Sequence, residues 1–518
     1  MIRVSQLKLP VEHSEEQFYQ KIEKSLKIYQ STKNKINALN YAMYMINWDS
    51  ETEAPVGCLE ERSKQLGNIT EMIVSLSHKK TYVNALKDII ANKDKVDEIT
   101  WLSASKEFEE LEKELKVPSK ELVNYQILLA TSGQTWLEAK QTNNYKHFAP
   151  KLDKIITWQK KYIKYLETPN CKGYNVLLDT YEKGFTEEDY DKFFDTLRTE
   201  LVPFVKEILS KKPIDDSFNK EYYPIELQKE FAKYLLKVMC FDKTKNVIKE
   251  SEHPFTTGYG TTDERKTCHY YDHLLTSFIF SIIHEMGHAT YEKNCDPKFD
   301  DTALSGGSTM AMHESQSRFY ENIVGRSYQF WKTHYPILKQ TFVEQLKDIS
   351  LDQFYRAINK VENSLIRTEA DELTYPLHIM IRYEIEKKIF NNEVKTKDLP
   401  KLWNKLYKEY LNIDVKTDTE GILQDIHWSG GSFGYFPTYA LGSAYSAQLY
   451  NQMKKELNVE EVFAEKDLTT VNEWLKEKVH KFGKSKTPQE ILIMATGEPF
   501  NPKYYIEYLK EKYKKIYD

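Results

Sequence analysis

The chain holds 518 residues, with 73 Lys and Arg against 78 Asp and Glu and a formal net charge of −5. That balance excludes the basic field on which nucleic-acid binding depends. Only 18 Gly and 17 Pro occur, against about 36 and 26 for average usage, so few backbone breakers interrupt a sequence that favours helix.

Residues 14–47 read as helix, with Phe18, Ile22, Leu26 and Tyr29 at three- and four-residue spacing. The segment 48–57, with Pro55 and Gly57, predicts a break. Residues 59–92, 95–116, 119–142 and 147–167 again read as helices, followed by a turn around Pro169, Asn170 and Gly173 and further helices over 186–210 and 225–249. The texture changes at 252–272, where Thr, Tyr and Phe crowd together and predict short strands or a hairpin. Helical patterns resume at 273, with breaks expected at 297–308, 390–398 and 428–437. The Lys-rich stretch 503–515 alternates with Tyr, Glu and Ile, as the solvated face of a helix does. No repeat, low-complexity linker or composition shift divides the chain, so the expectation is a mainly α fold with a small antiparallel sheet near the site motifs.

Residues 1–16 carry no apolar h-region. The stretch Phe278–Ile283 is far short of the roughly 20 residues of a membrane span. Five cysteines, Cys58, Cys171, Cys240, Cys268 and Cys295, are scattered without a CxxC pair, which fits a reducing compartment. The expectation is a soluble, cytoplasmic protein. Cys268 and Cys295 flank the central motif, but as lone cysteines they are read as small buried residues.

That motif is HExxH, from His284 to His288. Residues four apart share a helix face, so both imidazoles can reach one ion. Zinc takes His nitrogen at about 2.0–2.1 Å and in catalytic sites leaves one position for water, which Glu285 can reach as general base. Leu274, Leu275, Phe278, Ile279, Ile282, Ile283 and Met286 cover one side of the same helix, and His284 and His288 fall outside that arc. The helix can therefore pack by one side and present both histidines from another. A third ligand is required. Gly306, Gly307 and Ser308 can end one segment and cap a new helix, on which Glu314 is the chosen ligand. His313 competes, but neighbours on a helix diverge by about 100°, so one of the two faces the metal.

These residues belong to a longer ordered set. His253-Pro254-Phe255, Asp263 to Thr267 (DERKT), His284 to His288, His313 to Gln316 (HESQ), Ile366 to Asp371 (IRTEAD) and Gly421 to Trp428 (GILQDIHW) follow one another. Upstream, Trp48-Asp49 with Pro55 and Arg62, and Tyr174 to Gly184, extend the pattern. In these motifs, from about residue 15 to the carboxyl terminus, the sequence resembles the Taq-type metallocarboxypeptidases, the thermostable carboxypeptidase 1 family. The resemblance implies a saddle-shaped helical fold with a deep cleft, usually a homodimer, that removes single residues from the carboxyl ends of peptides with broad specificity. It implies zinc, with cobalt often supporting activity. On this reading one catalytic domain covers 1–518, with residues 14–116 bordering the cleft and 250–445 carrying the site motifs.

A carboxypeptidase must grip a free carboxylate, which suits the planar fork of Arg. Arg367, in a segment read as apolar helix, is the chosen residue; its alternative is an ion pair with Glu369 or Asp371. Arg265, flanked by Asp263 and Glu264, is a second candidate with a salt bridge as its alternative. Charge developing on the attacked carbonyl needs a donor, and the Gly-rich stretch 427–439 offers His427, Tyr435 and Tyr439. His253 is a further candidate for the cleft wall, and Trp48 is read as core. Two other classes stay open: a helical zinc endo-oligopeptidase or dipeptidyl carboxypeptidase, and a non-catalytic peptide-binding scaffold.

Overall fold

The first helix, Val11–Thr52, runs for 42 residues because neither Gly nor Pro occurs in it. In the computed structural model, residues 11–518 are described, the side chains of 11–18, 56 and 59 excepted. The break expected at 48–57 comes late: Trp48 is still helical, buried against Phe255 with ring centroids 5.8 Å apart. The helix predicted over 59–92 is two, Leu59–Ser77 and Lys80–Ile90. The turn between them lets Tyr82, Leu86 and Ile89 pack with Tyr29 and Ile36 of the first helix in a small apolar cluster of their own. The main apolar core extends from Tyr125 to Ile516.

The helix predicted over 225–249 stops at Val238, and Cys240 turns the chain in a left-handed conformation, φ 60°. Residues Asn246–Glu250 are strand β1, followed by β2 (Thr256–Tyr259) and β3 (Asp263–Cys268). The order is β1-β3-β2. The antiparallel sheet expected is therefore mixed. The pair β2–β3 is antiparallel, while β1 runs parallel to β3, pairing Val247 with Arg265. Two reversals, one before β2 and one at Gly260 after it, bring β3 back in the direction of β1. Val247 and Ile248, counted into a helix from their spacing, are β-branched residues that suit a strand.

After the HExxH helix, Leu275–Asn294, the next α-helix is Met310–Arg318, so the break at 297–308 stands. The helical reading around Arg367 does not. Between Ile358 and Tyr375 the chain forms only a short turn at Arg367–Glu369. Asp371 ends that turn, accepting the backbone N–H groups of Leu373 (2.9 Å) and Thr374 (3.0 Å) ahead of the helix Tyr375–Phe390. The long break near the carboxyl end begins at Asn412 rather than 428, and the chain re-enters helix at Pro437–Glu456. No helix among the described residues is long and apolar enough to cross a membrane.

One buried carboxylate holds this last loop in place. Glu386 accepts from Trp428 Nε1 (2.7 Å), the Gly434 N–H (2.7 Å) and the Tyr174 hydroxyl (2.6 Å). At Gly434, φ is 86°, and a Cβ would lie 2.7 Å from the Leu177 carbonyl oxygen, so glycine is required there. Burial pushes the Glu386 carboxyl up to about 7. A carboxyl that binds its proton more tightly folded than unfolded stabilises the fold fully below the usual carboxylate range, and that contribution is lost as pH rises through about 7. Thermal unfolding of Glu386→Gln should therefore show a shallower fall of Tm between pH 5 and 8 than the parent; parallel curves would contradict this. Glu386→Ala, which strands three buried donors, should cost about 3 kcal/mol or more in urea unfolding.

Candidate metal centre and cleft

The HExxH helix and the helix Met310–Arg318 approach unusually closely because a glycine lies at the crossing. A Cβ on Gly287 would lie 2.7 Å from the Ser317 Cα. On the other side of the same short helix, a Cβ on Gly442 of Pro437–Glu456 would lie 2.8 Å from the Cβ of Glu314 and 2.9 Å from the Ala311 carbonyl. Glycine inside a helix costs about 1 kcal/mol relative to alanine. Here it lets Glu314 sit between two helices, directly over the histidines.

Glu314 Oε2 lies 3.9 Å from His284 Nε2 and 3.6 Å from His288 Nε2. All three ligand atoms fall within 4.8 Å of one another. Ligands about 2.0–2.2 Å from one ion stand about 3.3–3.6 Å apart at tetrahedral angles, so Glu314 Oε2 already lies within a few tenths of an ångström of that spacing from both imidazoles. The donor set of two imidazoles and a carboxylate suits a divalent transition metal such as zinc. Cys268 and Cys295 lie outside the group. Both are buried, and burial pushes the Cys268 thiol up to about 11.

The surroundings hold each ligand in a metal-binding state. His284 Nδ1 lies 2.9 Å from Glu321 Oε2. A carboxylate can only accept, which assigns the proton to Nδ1 and leaves the Nε2 lone pair free. His288 Nδ1 meets His313 Nδ1 at 2.6 Å, and His313 Nε2 meets Glu292 Oε1 at 2.6 Å. Glu292 Oε1 accepts from the Nε2–H of His313, so His313 Nδ1 accepts from the Nδ1–H of His288, whose Nε2 lone pair is again free. Burial, with His313 and His284 beside it, holds His288 well below the usual imidazole range and therefore neutral. Arg318 donates to Glu314 Oε1 (2.7 Å) and to Glu321 (3.2 Å), while Glu314 Oε2, which accepts from the Ser317 hydroxyl (3.2 Å), faces the two imidazoles.

Glu285 is buried, and its carboxylate accepts from the Thr256 hydroxyl at 2.5 Å. Burial raises its carboxyl above the usual range, which makes the ionised form a stronger base. The centre opens on a cleft of about 1090 Å³, whose wall contains Glu285, His253, Arg367, Tyr435 and Tyr439.

Arg367 pairs with neither Glu369 nor Asp371. Asp425 takes its Nε (2.9 Å) and Nη2 (2.8 Å), and Nη1 donates to the Tyr375 hydroxyl (3.2 Å). Asp425 also binds the fully buried Arg382 at 2.6 Å. One carboxylate between two guanidiniums leaves one positive charge, carried to the cleft by Arg367. Three of its five N–H groups are engaged, so two remain for a ligand.

Arg265 stands apart. It forms a two-pronged pair with Asp263, both contacts 2.8 Å, beneath the rings of Tyr44 and Trp48. It is not in the wall of the metal cleft. The geometry gives it the salt-bridge role, joining β3 to the first helix. His427 lies one layer behind the wall, with Nε2 3.4 Å from the Tyr439 hydroxyl and burial pushing the imidazole down to about 4.

Replacing Glu321 by Gln keeps the shape but lets the side chain donate as well as accept at His284 Nδ1. Zinc affinity, read by competition with a chromophoric chelator, should fall about 10–100-fold. Gly287→Ala forces the Glu314 helix away and should weaken zinc at least as much. Unchanged affinity in both variants would contradict the packing described.

Comparisons with known proteins place the chain in a family. The sequence profile of the Carboxypeptidase Taq (M32) metallopeptidase family matches residues 28–513. Carboxypeptidase 1 of Bacillus subtilis (strain 168) is 41% identical over 489 residues, covering 93% of this chain and 97% of its own. The structure of the Pyrococcus furiosus carboxypeptidase superposes with a TM-score of 0.91 at 34% identity, over 94% of this chain and 99% of that one. The M32 carboxypeptidase of Deinococcus radiodurans R1 gives 0.92 at 29% identity, over 95% and 99%. With the family's profile spanning nearly the whole described chain, this protein belongs to the Taq-type (M32) metallocarboxypeptidases, metal-dependent peptide hydrolases.

Proposed function

We propose that His284, His288 and Glu314 hold the catalytic metal, that Glu285 is the general base, and that Arg367 reads the free carboxylate of the peptide. The observation that carries this reading is the convergence of three ligand atoms within 4.8 Å beside a buried glutamate in the same cleft as Arg367. When bound, the ion supplies Lewis acidity to the scissile carbonyl and the attacking water. Glu285 takes the proton of that water and returns it to the leaving amine. The Thr256 hydroxyl fixes the carboxylate that does so. Tyr435 and Tyr439 offer hydroxyl donors for the oxygen that gains charge, with His427 supporting Tyr439 from behind. Two free N–H groups of Arg367 grip the terminal carboxylate, which makes the enzyme an exopeptidase, and His253 lines the same wall.

Zinc as the metal, with cobalt able to replace it, belongs to the same proposal, as do the homodimer, the cytoplasmic location and the whole chain acting as one catalytic domain. The donor set and the family resemblance support the first two. All five cysteines are free, in keeping with a reducing compartment. The main apolar core from Tyr125 to Ile516 supports the last for that part of the chain, while Tyr29 to Leu111 contribute a smaller cluster of their own.

Glu285→Gln is expected to bind zinc with the parent's stoichiometry and lose roughly 10²–10⁴-fold in kcat; full activity would sink the general-base assignment. Amidating the carboxyl end of the substrate should reduce kcat/KM strongly for the parent and much less for Arg367→Met. Equal cleavage of acid and amide by the parent would favour an endopeptidase instead.

A further inference from the structure

The cleft does not end at the metal centre. A second cavity of about 640 Å³ adjoins it, walled in part by residues of the helices Lys80–Ile90 and Glu98–Lys116 and by the segment from Ala303 to His313. Two contacts mark the junction. His313, in the wall of the second cavity, is hydrogen-bonded to His288, in the wall of the first. Tyr181 of the second meets Tyr435 of the first edge to face, ring centroids 5.1 Å apart. If Arg367 holds the terminal carboxylate in the first cavity, the peptide upstream of the scissile bond extends into the second; the inference rests on that reading.

The acids of the second cavity are all engaged. Glu107 binds Lys33 (2.8 Å) and the Tyr82 hydroxyl (2.6 Å), and Glu110 binds Lys113 (2.9 Å). Glu114 meets His78 (3.0 Å), Asp179 accepts the Gly184 N–H (2.9 Å), and Glu292 is held by His313. Lys183 is bound to Glu109 outside the wall. That leaves Lys106 and Lys484. Both are half-buried in the wall, and neither has an ion pair or side-chain hydrogen bond among the described residues. They stand close enough to repel: burial, then Lys484, lowers the affinity of Lys106 for its proton. Lys484 is also positioned by the backbone, its N–H donating to the Leu304 carbonyl at 3.0 Å. Glu109 and Glu110 lie near Lys106, and Glu292 near Lys484, without a direct contact, so each half-buried ammonium keeps N–H donors that an acceptor on a ligand can fill.

We propose that Lys106 and Lys484 form a subsite for an acidic side chain of the peptide substrate, upstream of the scissile bond. The neighbouring acids offset the long-range field, so recognition is by contact.

The test is a series of peptides with free carboxyl ends in which one Glu, or Gln as its neutral twin, occupies each upstream position in turn. The parent should prefer Glu over Gln in kcat/KM at one position by roughly fivefold or more, mainly through KM. The ratio should fall towards one in Lys106→Met and in Lys484→Met, and Lys484→Glu should prefer a Lys peptide at that position. Both peptides are read on the same variant, so a general loss of activity cancels. The Lys484 variants, in a surface turn, decide the matter if Lys106→Met does not fold. No Glu preference at any position in the parent, or a preference that survives both methionine variants, would overturn the proposal. The same peptides with amidated carboxyl ends test the Arg367 assignment separately.

Discussion

The site depends on the crossing of three helices at Glu314. Gly287 and Gly442 remove the two side chains that would hold those helices apart. Only with both absent can a carboxylate reach from the middle helix to the Nε2 atoms of His284 and His288. The helix that carries it, Met310–Arg318, is only nine residues long, too short to be stable on its own. Its position is therefore a product of packing. Ala311, Met312, Ser315, Gln316 and Ser317 are all buried, and the helix runs on into a π-helical stretch at Phe319–Val324.

Around this crossing, charge is arranged in linked pairs. Glu321 and Arg318 fix His284 and Glu314, and Glu292 acts on His288 through His313. Asp425 shares itself between Arg367 and Arg382 and carries the loop after residue 412 with it. Glu386 fastens the other end of that loop, where Tyr435 and Tyr439 enter the cleft. Breaking one partner of such a buried pair leaves the other uncompensated, so the loop after residue 412 and the cleft wall it forms rest on Asp425 and Glu386 together.

Much of this was legible in the sequence. The helices between 98 and 166, the HExxH helix and the break before Glu314 follow from periodicity and from Gly and Pro placement. The 100° divergence of neighbours says only that one of His313 and Glu314 faces the centre; the choice of Glu314 leaned on the family resemblance, and in the structure His313 is hydrogen-bonded to His288 Nδ1. What was not legible depended on tertiary contact. Val247 and Ile248 fit a helical spacing until β3 offers a ladder to pair with. Arg367 read as helical because its apolar neighbours had no visible alternative, and its partner Asp425 is 58 residues away. Glu292, four residues after His288, could have been found from helix spacing alone. So could Glu321, which lies seven residues after Glu314 and so within about 20° of it on a 3.6-residue repeat.

The central claim is that one ion sits between His284, His288 and Glu314. Diffraction from zinc-soaked crystals, recorded on both sides of the zinc absorption edge, tests it most directly. The account predicts a single strong anomalous peak about 2.0–2.2 Å from both Nε2 atoms and from Glu314 Oε2, with His313 still bound to Glu292. A peak held by His313 or Glu292, or none at the three predicted ligands, would contradict it.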